Sequence, residues 1–151
     1  MENTEATLAV TGTTEDRDGK KAWSNPSNIT TEAGNTACNI GATTYSDWLR
    51  ASNFGFQIPV GSTINGVVVE INNSALGISD SALYLVGSDG VNMGDNKASS
   101  NIWGITASTA TYGSSSDTWG ATLSYAKINH SDFGIRLSAF NGSPSLSLIH
   151  I

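Results

Sequence analysis

The chain has 151 residues, of which only 13% are charged, and thirteen acidic against seven basic side chains give a net charge of −6. This length fits one domain that can bury a substantial core without metals or disulfides. The acidic balance argues against direct nucleic-acid binding, and the short apolar runs argue against a membrane-spanning helix. The first residues do not resemble a signal peptide, so we expect a protein made in a cytoplasm.

The composition favours β structure over helix. Sixteen Gly with abundant Ser, Thr and Asn suit turns and strands, whereas a helical protein needs more Glu, Lys, Leu and Ala at helical spacing. The low charged fraction also leaves few residues to solvate an exposed surface. Two interpretations follow: a compact β-sandwich, or a sandwich whose surface is partly covered by a partner subunit.

The first 21 residues are predicted to form an arm. A polar tail precedes a strand predicted over residues 6–13, in which Leu8 and Val10 share a face. A charged run then predicts a solvated loop. Residues 22–151 are predicted to form the β-sandwich domain.

The most regular pattern lies between Asn53 and Ile71. Apolar residues alternate with small or polar ones on either side of Pro59 and Gly61, which is the pattern of two half-buried strands joined by a turn. The core-facing members are predicted to be Phe54, Phe56, Ile58, Val67, Val69 and Ile71. An isolated hairpin is only marginally stable in water, so the pattern predicts further β structure around it.

The rest of the chain supplies those further strands. They are predicted at residues 36–41, 81–87, 106–112, 118–123 and 133–139, with a loop at residues 72–77. A helical turn is predicted at Ser124–His130, and Asn141-Gly142 is a hairpin signal leading to a last strand through Leu146 and Leu148. With about eight to ten short strands, the chain is predicted to be all-β, an antiparallel β-sandwich of jelly-roll type or a related one.

The sequence contains no catalytic constellation that we recognise, and we assign no catalytic, cofactor or metal residue. His130 and His150 have no predictable Ser, Cys or paired carboxylate beside them. Cys38 is the single cysteine, which excludes an intrachain disulfide, and it is predicted to be a small core residue.

Two binding chemistries are weighed against ordinary structure. Asp89, Asn92 and Asp95 offer oxygen ligands for calcium, but their spacing lacks the EF-hand pattern, so a turn is expected. The four Trp and four Tyr residues offer a platform on which a sugar stacks. Aromatic residues in loops that close a sandwich are more often core plugs, so carbohydrate binding is kept as the alternative function.

Five segments, in one order, resemble a family of compact jelly-roll domains that recur in structural proteins of tailed bacteriophages and in prophage or bacterial surface proteins. They are Trp23-Ser24-Asn25-Pro26-Ser27-Asn28, Asn53 to Val67, Gly94-Asp95-Asn96-Lys97-Ala98, Tyr112 to Gly120 and Asp132-Phe133-Gly134-Ile135. The resemblance covers most of the chain from Ala22 onward. The ending departs from the family pattern, because Ser145–Ile151 has fewer apolar and tyrosine residues.

The resemblance implies a virion component without enzymatic activity. A single domain without a coiled coil or shaft favours a capsid decoration (cement) protein on the phage head, with the major capsid protein and copies of itself, as a homotrimer, for partners. The arm is the expected assembly contact, through strand addition at an exposed edge. The residues expected there are Glu2, Thr4, Thr7, Leu8 and Val10. The alternative is a tail- or fibre-associated module that binds a surface glycan or receptor.

Overall fold

The computed structural model describes Glu5 and residues 7–31, 36–142 and 147–151, and this part of the chain is mostly β. The all-β prediction is therefore confirmed. The strands are β1 (Thr11–Glu15), β2 (Ala37–Ile40), β3 (Trp48–Ser52), β4 (Val68–Ala75), β5 (Ile78–Val86), β6 (Asn92–Met93), β7 (Ser108–Gly113), β8 (Gly134–Asn141) and β9 (Ser147–His150). A 3₁₀ helix (Pro26–Thr30) and one α-helical turn, α1 (Tyr125–Asn129), complete the regular structure of the described residues.

The strands form two antiparallel sheets. One has the order β1-β3-β8-β5-β6 and the other the order β2-β9-β4-β7. The pairs are nested, because β5 pairs with β6, β4 with β7, β3 with β8 and β2 with β9. The chain consequently passes from one sheet to the other at every connection between strands except the one between β5 and β6.

The hydrophobic core takes residues from both sheets. Leu49, Leu83 and Leu137 occupy one register line across β3, β8 and β5, and each is at most 4% exposed. Ile40 and Ile71 contribute to the same cluster from the second sheet. Burying a side chain of this size stabilises the fold by about 1.5–3 kcal/mol. Because the buried residues come from both sheets, their packing holds the two sheets together.

The first half of the regular stretch at Asn53–Ile71 is not a strand, so that prediction is wrong. Asn53 (φ 57°) and Gly55 (φ 71°) adopt left-handed backbone conformations, which interrupt an extended chain. In this segment, the backbone of Ile58 forms its hydrogen bonds with a side chain instead of with a neighbouring strand. The N–H of Ile58 donates to Asn129 Oδ1, and Asn129 Nδ2 donates to the Ile58 carbonyl, both at 2.8 Å.

The apolar alternation in this stretch still marks buried positions. Phe56, Ile58, Ile64 and Val67 pack against the core cluster although none of them lies in a strand. The second half does become a strand, but β4 extends to Ala75 and so runs through the loop predicted at residues 72–77.

The N-terminal strand lies later than predicted. β1 begins at Thr11 rather than at residue 6, and it includes Glu15 from the charged run. It pairs with β3 and is the last strand at its end of the five-stranded sheet. The residues before β1 run alongside residues 52–54 of the same chain. The Val10 N–H donates to the Ser52 carbonyl, and Thr7 Oγ1 donates to the Phe54 carbonyl.

Two predictions for the C-terminal third are also wrong. β8 and β9 do not form a hairpin, because β8 lies between β3 and β5 while β9 lies between β2 and β4 in the other sheet. Residues 143–146, which include Leu146, lie outside the described part of the chain. Residues 118–123 are not a strand, because Trp119 has a φ of 59° in the turn region that precedes α1.

The segments around Gly94, Gly113 and Trp119 form one closely packed unit. The Asp95 N–H donates to the Trp119 carbonyl at 2.6 Å, and Trp119 Nε1 donates to the Val67 carbonyl at 3.0 Å. Gly113 has a φ of 75°, and a Cβ there would lie 2.3 Å from the Val67 carbonyl oxygen. These glycines and the tryptophan are therefore needed by the fold.

Candidate functional site

The outer face of the five-stranded sheet carries all three arginines of the sequence, and we call it the arginine face. Arg50 on β3 and Arg136 on β8 are paired in register, and their neighbours Leu49 and Leu137 point to the core on the opposite side. Arg17 follows β1 and donates to Ser81 Oγ on β5 at 3.0 Å.

The cations of the arginine face are held by acidic and aromatic partners on the same face. Arg17 lies 4.0 Å from the centroid of the Tyr45 ring and 4.6 Å from that of Trp48. Glu15 binds Arg50 at 3.1 Å and approaches Arg136 at 3.8 Å. Burial lowers the pKa of the Arg136 guanidinium. These contacts stabilise the sheet and leave no strong excess of positive charge to attract an anion.

Asp47 lies three residues before Arg50 but makes no ion pair with it. Asp47 Oδ1 accepts a hydrogen bond from the Arg17 backbone N–H at 2.9 Å, and the Asp47 carbonyl accepts one from Trp23 Nε1 at the same distance. Arg50 instead lines a shallow cleft of about 370 Å³ together with Asp89 and Asp132. Glu15 also lines this cleft, and three carboxylates beside one guanidinium make it unsuited to an anionic ligand.

The outer face of the four-stranded sheet is nearly free of charge, and we call it the low-charge face. Glu70 is the one Asp, Glu, Lys or Arg in β2, β4, β7 and β9. It lies among Val68, Asn72, Thr109 and Thr111, all exposed. The two sheets of this acidic chain therefore differ sharply in surface chemistry.

The arm residues predicted as an assembly contact are partly described. Glu2 and Thr4 lie outside the described residues. Thr7 donates to the Phe54 carbonyl of its own chain at 2.9 Å. Leu8 and Val10 leave 51% and 66% of their surface exposed, which is high for aliphatic side chains.

Asp80 lies in a cleft that the sequence did not reveal. It sits on β5 at a β-bulge, is 7% exposed and joins the two sheets. Oδ1 accepts from Trp103 Nε1 at 2.9 Å, while Oδ2 accepts from the Ser99 N–H at 2.9 Å and from the Tyr112 hydroxyl on β7 at 2.8 Å. Burial and the Asp80 carboxylate raise the pKa of Tyr112 well above its usual range. The tyrosine therefore remains a hydrogen-bond donor at every physiological pH.

The space beside Asp80, which we call the Asp80 cleft, has a volume of about 570 Å³. It lies between the segment 97–104, which covers the edge of β5, and β7 at the edge of the other sheet. Asn73 on β4 also lines it. The volume falls within the usual range of small-molecule sites. The signal that sequence analysis missed is Asp80, the single charged residue of β5, followed along the chain by Trp103 and Tyr112.

The other predicted candidates behave as structural residues. Among the residues that the structure describes, no group of three His, Cys, Asp or Glu side chains is placed to hold a metal, and Asp89 Oδ1 accepts a hydrogen bond from the Val91 N–H. Cys38 is 2% exposed, as predicted, and burial raises the pKa of its thiol to about 11. His130 is exposed and accepts a hydrogen bond from the Asp132 N–H through Nδ1.

The tryptophans do not form one sugar-stacking platform. Trp23, Trp103 and Trp119 are at most 7% exposed, so they are core plugs, while Trp48 lies on the arginine face. Of the four tryptophans, Trp103 is the one that lines the Asp80 cleft.

Comparison of the chain with protein-family models, with curated proteins and with solved structures finds no match in any of the three. No helix in the described ranges is long and apolar enough to cross a membrane.

Proposed function

We propose that the chain is a non-enzymatic β-sandwich of jelly-roll type that assembles with copies of itself, as a homotrimer, on the head of a tailed bacteriophage. Its role is mechanical: it binds the major capsid protein and bridges neighbouring capsid subunits, as a decoration protein does. Its location is the outer surface of the virion. Three features of the molecule support this proposal.

The nested pairing of the strands supports the jelly-roll topology. A long antiparallel hairpin that is rolled up pairs its strands from the tip outward, and here β5 and β6 form the tip while β2 and β9 form the ends. Eight strands then divide into two sheets of four, which is the arrangement of a jelly roll. β1 is an additional strand beside β3.

The low-charge face is the observation that carries the proposal. Copies of a chain with a net charge of −6 repel one another wherever acidic residues meet. Around Asn72 and Thr109 two copies can approach with Glu70 as the single charged residue of these strands to repel or to be removed from water. Depletion of charged residues is also the compositional mark of the buried centre of protein interfaces. We therefore assign the contact between copies to this face.

The arm supplies a separate contact, to the capsid. Leu8 and Val10 are exposed beside the edge strand β1, so their side chains are free to pack against a neighbouring protein. The pairing of the arm with residues 52–54 of its own chain holds the backbone and leaves these side chains outward. The contact buries aliphatic surface, whose contribution is about 25 cal/mol for each Å² removed from water.

The proposal is tested by looking for the chain on particles and by changing the arm. Virus particles purified from the host that encodes the chain should contain it on their outer surface, seen by cryo-electron microscopy. Val10→Asp should reduce its occupancy, because it places a charge in the apolar contact. Val91→Asp is the matched control, since Val91 is 58% exposed in a turn outside the arm. Equal occupancy of the two variants contradicts the role of the arm, and particles that lack the chain contradict the proposed function.

A further inference from the structure

Asn73 carries a feature that the fold does not explain. Its side chain is on the inner side of β4 and is only 4% exposed. Among the described residues, its Nδ2 has no hydrogen-bond partner although the atom is buried. Buried side-chain donors are almost always paired, because an unpaired one loses its bonds to water without replacement. This side chain lines the Asp80 cleft.

The cleft is lined by groups that suit hydroxyl-bearing ligands. Hydroxyl and amide side chains both donate and accept hydrogen bonds, and the lining residues of this kind are Ser99, Asn101, Ser108 and Thr111. Ile102, which also lines the cleft, is 72% exposed and offers an apolar surface. A sugar ring combines hydroxyl groups at its edge with apolar C–H groups on its faces, so it matches both kinds of contact.

The charges of the cleft select against anionic ligands. Asp80 is the one acidic residue in its lining, and the three donors that it accepts from are all uncharged. Lys97 is the one basic residue, and Asp117 binds its ammonium group at 2.8 Å. The unneutralised carboxylate repels anions. No cluster in the described residues supplies three ligands for a metal ion.

We propose that the Asp80 cleft binds a neutral sugar, with one ligand hydroxyl oxygen accepting from Asn73 Nδ2 and another hydroxyl donating to Asp80. A carboxylate has about four lone-pair positions, and the protein uses three of them at Asp80. The remaining position is on Oδ1. This binding is a different activity from assembly, and Thr111 both lines the cleft and lies on the low-charge face.

The first measurement is a titration of the purified, isotope-labelled protein with neutral monosaccharides, namely glucose, galactose, mannose and N-acetylglucosamine, followed by NMR. Of the indole N–H signals, that of Trp103 should move, because its Nε1 binds the Asp80 carboxylate in the cleft. The signal of Trp23 should stay, because its Nε1 donates to the Asp47 carbonyl, which is outside the cleft. N-acetylneuraminic acid, which is anionic, should produce no shift.

Variants separate a ligand contact from a structural role. Asn73→Ala should weaken sugar binding about tenfold or more while leaving the melting temperature nearly unchanged, since the lost amide N–H had no partner. Asn92→Ala is the matched control, because Asn92 is exposed on β6 in the other sheet and does not line the cleft. It should bind as the unmodified chain does. Ser108→Trp fills the cleft while keeping Asn73, and it should also abolish binding.

The outcomes decide the proposal. Movement of the Trp103 signal by a neutral sugar, lost in Asn73→Ala and in Ser108→Trp but kept in Asn92→Ala, supports it. Absence of binding by all four sugars overturns it, as does binding that both cleft variants retain. Binding of an extended peptide at β7 with no response to sugar overturns it too, because the cleft would then be a peptide site. None of these results bears on whether the chain is found on capsids.

Discussion

At the scale of single residues, Asp80 on β5 joins the two sheets through its hydrogen bond to Tyr112 on β7. Asp80→Ala leaves the donors of Ser99, Trp103 and Tyr112 without their partner. We expect a loss of about 3 kcal/mol or more in the free energy of unfolding, measured with urea, because each buried unpaired donor costs about 1–3 kcal/mol. Asp89→Ala in an exposed turn should change it by only about 0.5 kcal/mol. Equal losses for the two variants would mean that the Asp80 hydrogen bonds are not important.

Cys38 gives a second test at this scale. Its thiol is buried, and its pKa of about 11 leaves it protonated near neutral pH. Iodoacetamide should therefore react with the native chain at pH 8 at least about a hundredfold more slowly than with the urea-unfolded chain, whose thiol pKa is about 8.5. The native rate should keep rising with pH past 9, where the unfolded thiol approaches full ionisation. Similar rates in both states would contradict the burial of Cys38.

At the scale of elements, the helical turn α1 matters because it holds the irregular segment before β4. Asn129 binds both backbone groups of Ile58 at 2.8 Å. Asn129→Ala should lower the free energy of unfolding by about 1–2 kcal/mol and speed hydrogen exchange at the Ile58 amide. Asn129→Asp keeps the acceptor and loses only the donor, so its Ile58 amide should stay protected. Unchanged exchange in the alanine variant would show that other contacts hold this segment.

The sequence predicts the buried positions of the chain better than its strands. Alternation identified Phe56, Ile58 and Val69 correctly as positions packed against the core. It could not show that Asn53 and Gly55 adopt positive φ, because alternation records burial and not backbone hydrogen bonding. Hydrogen bonds from distant side chains, such as Asn129, replace the missing strand partner.

The sequence also could not predict which strands become neighbours in the folded chain. Asn141-Gly142 indicates a turn, but it does not say which strand follows in space, and β9 pairs with β2, which is a hundred residues earlier. The Asp80 cleft was missed for the same reason. Its parts come from β4, β5, β7 and the segment 97–104, which only the folded chain brings together. The motifs around Gly94 and Trp119 could be noticed in sequence, but their mutual packing could not.

At the scale of the whole molecule, the two sheets divide the surface chemistry of the chain. The arginine face satisfies its charges within itself through Glu15, Tyr45 and Trp48. The low-charge face offers exposed hydroxyl, amide and aliphatic groups with Glu70 as the single acid. A molecule that carries −6 and leaves one sheet almost uncharged is suited to associate through that sheet.

The central claim is association of copies through the low-charge face, and sedimentation velocity tests it most directly. The unmodified chain should sediment as a trimer at micromolar concentration. Thr109→Glu adds an acid to the low-charge face and should shift the chain to the monomer, whereas Thr13→Glu adds the same charge beside Arg50 on the other sheet and should leave the trimer intact. A chain that stays monomeric at every concentration, or one in which Thr109→Glu and Thr13→Glu sediment alike, contradicts the claim.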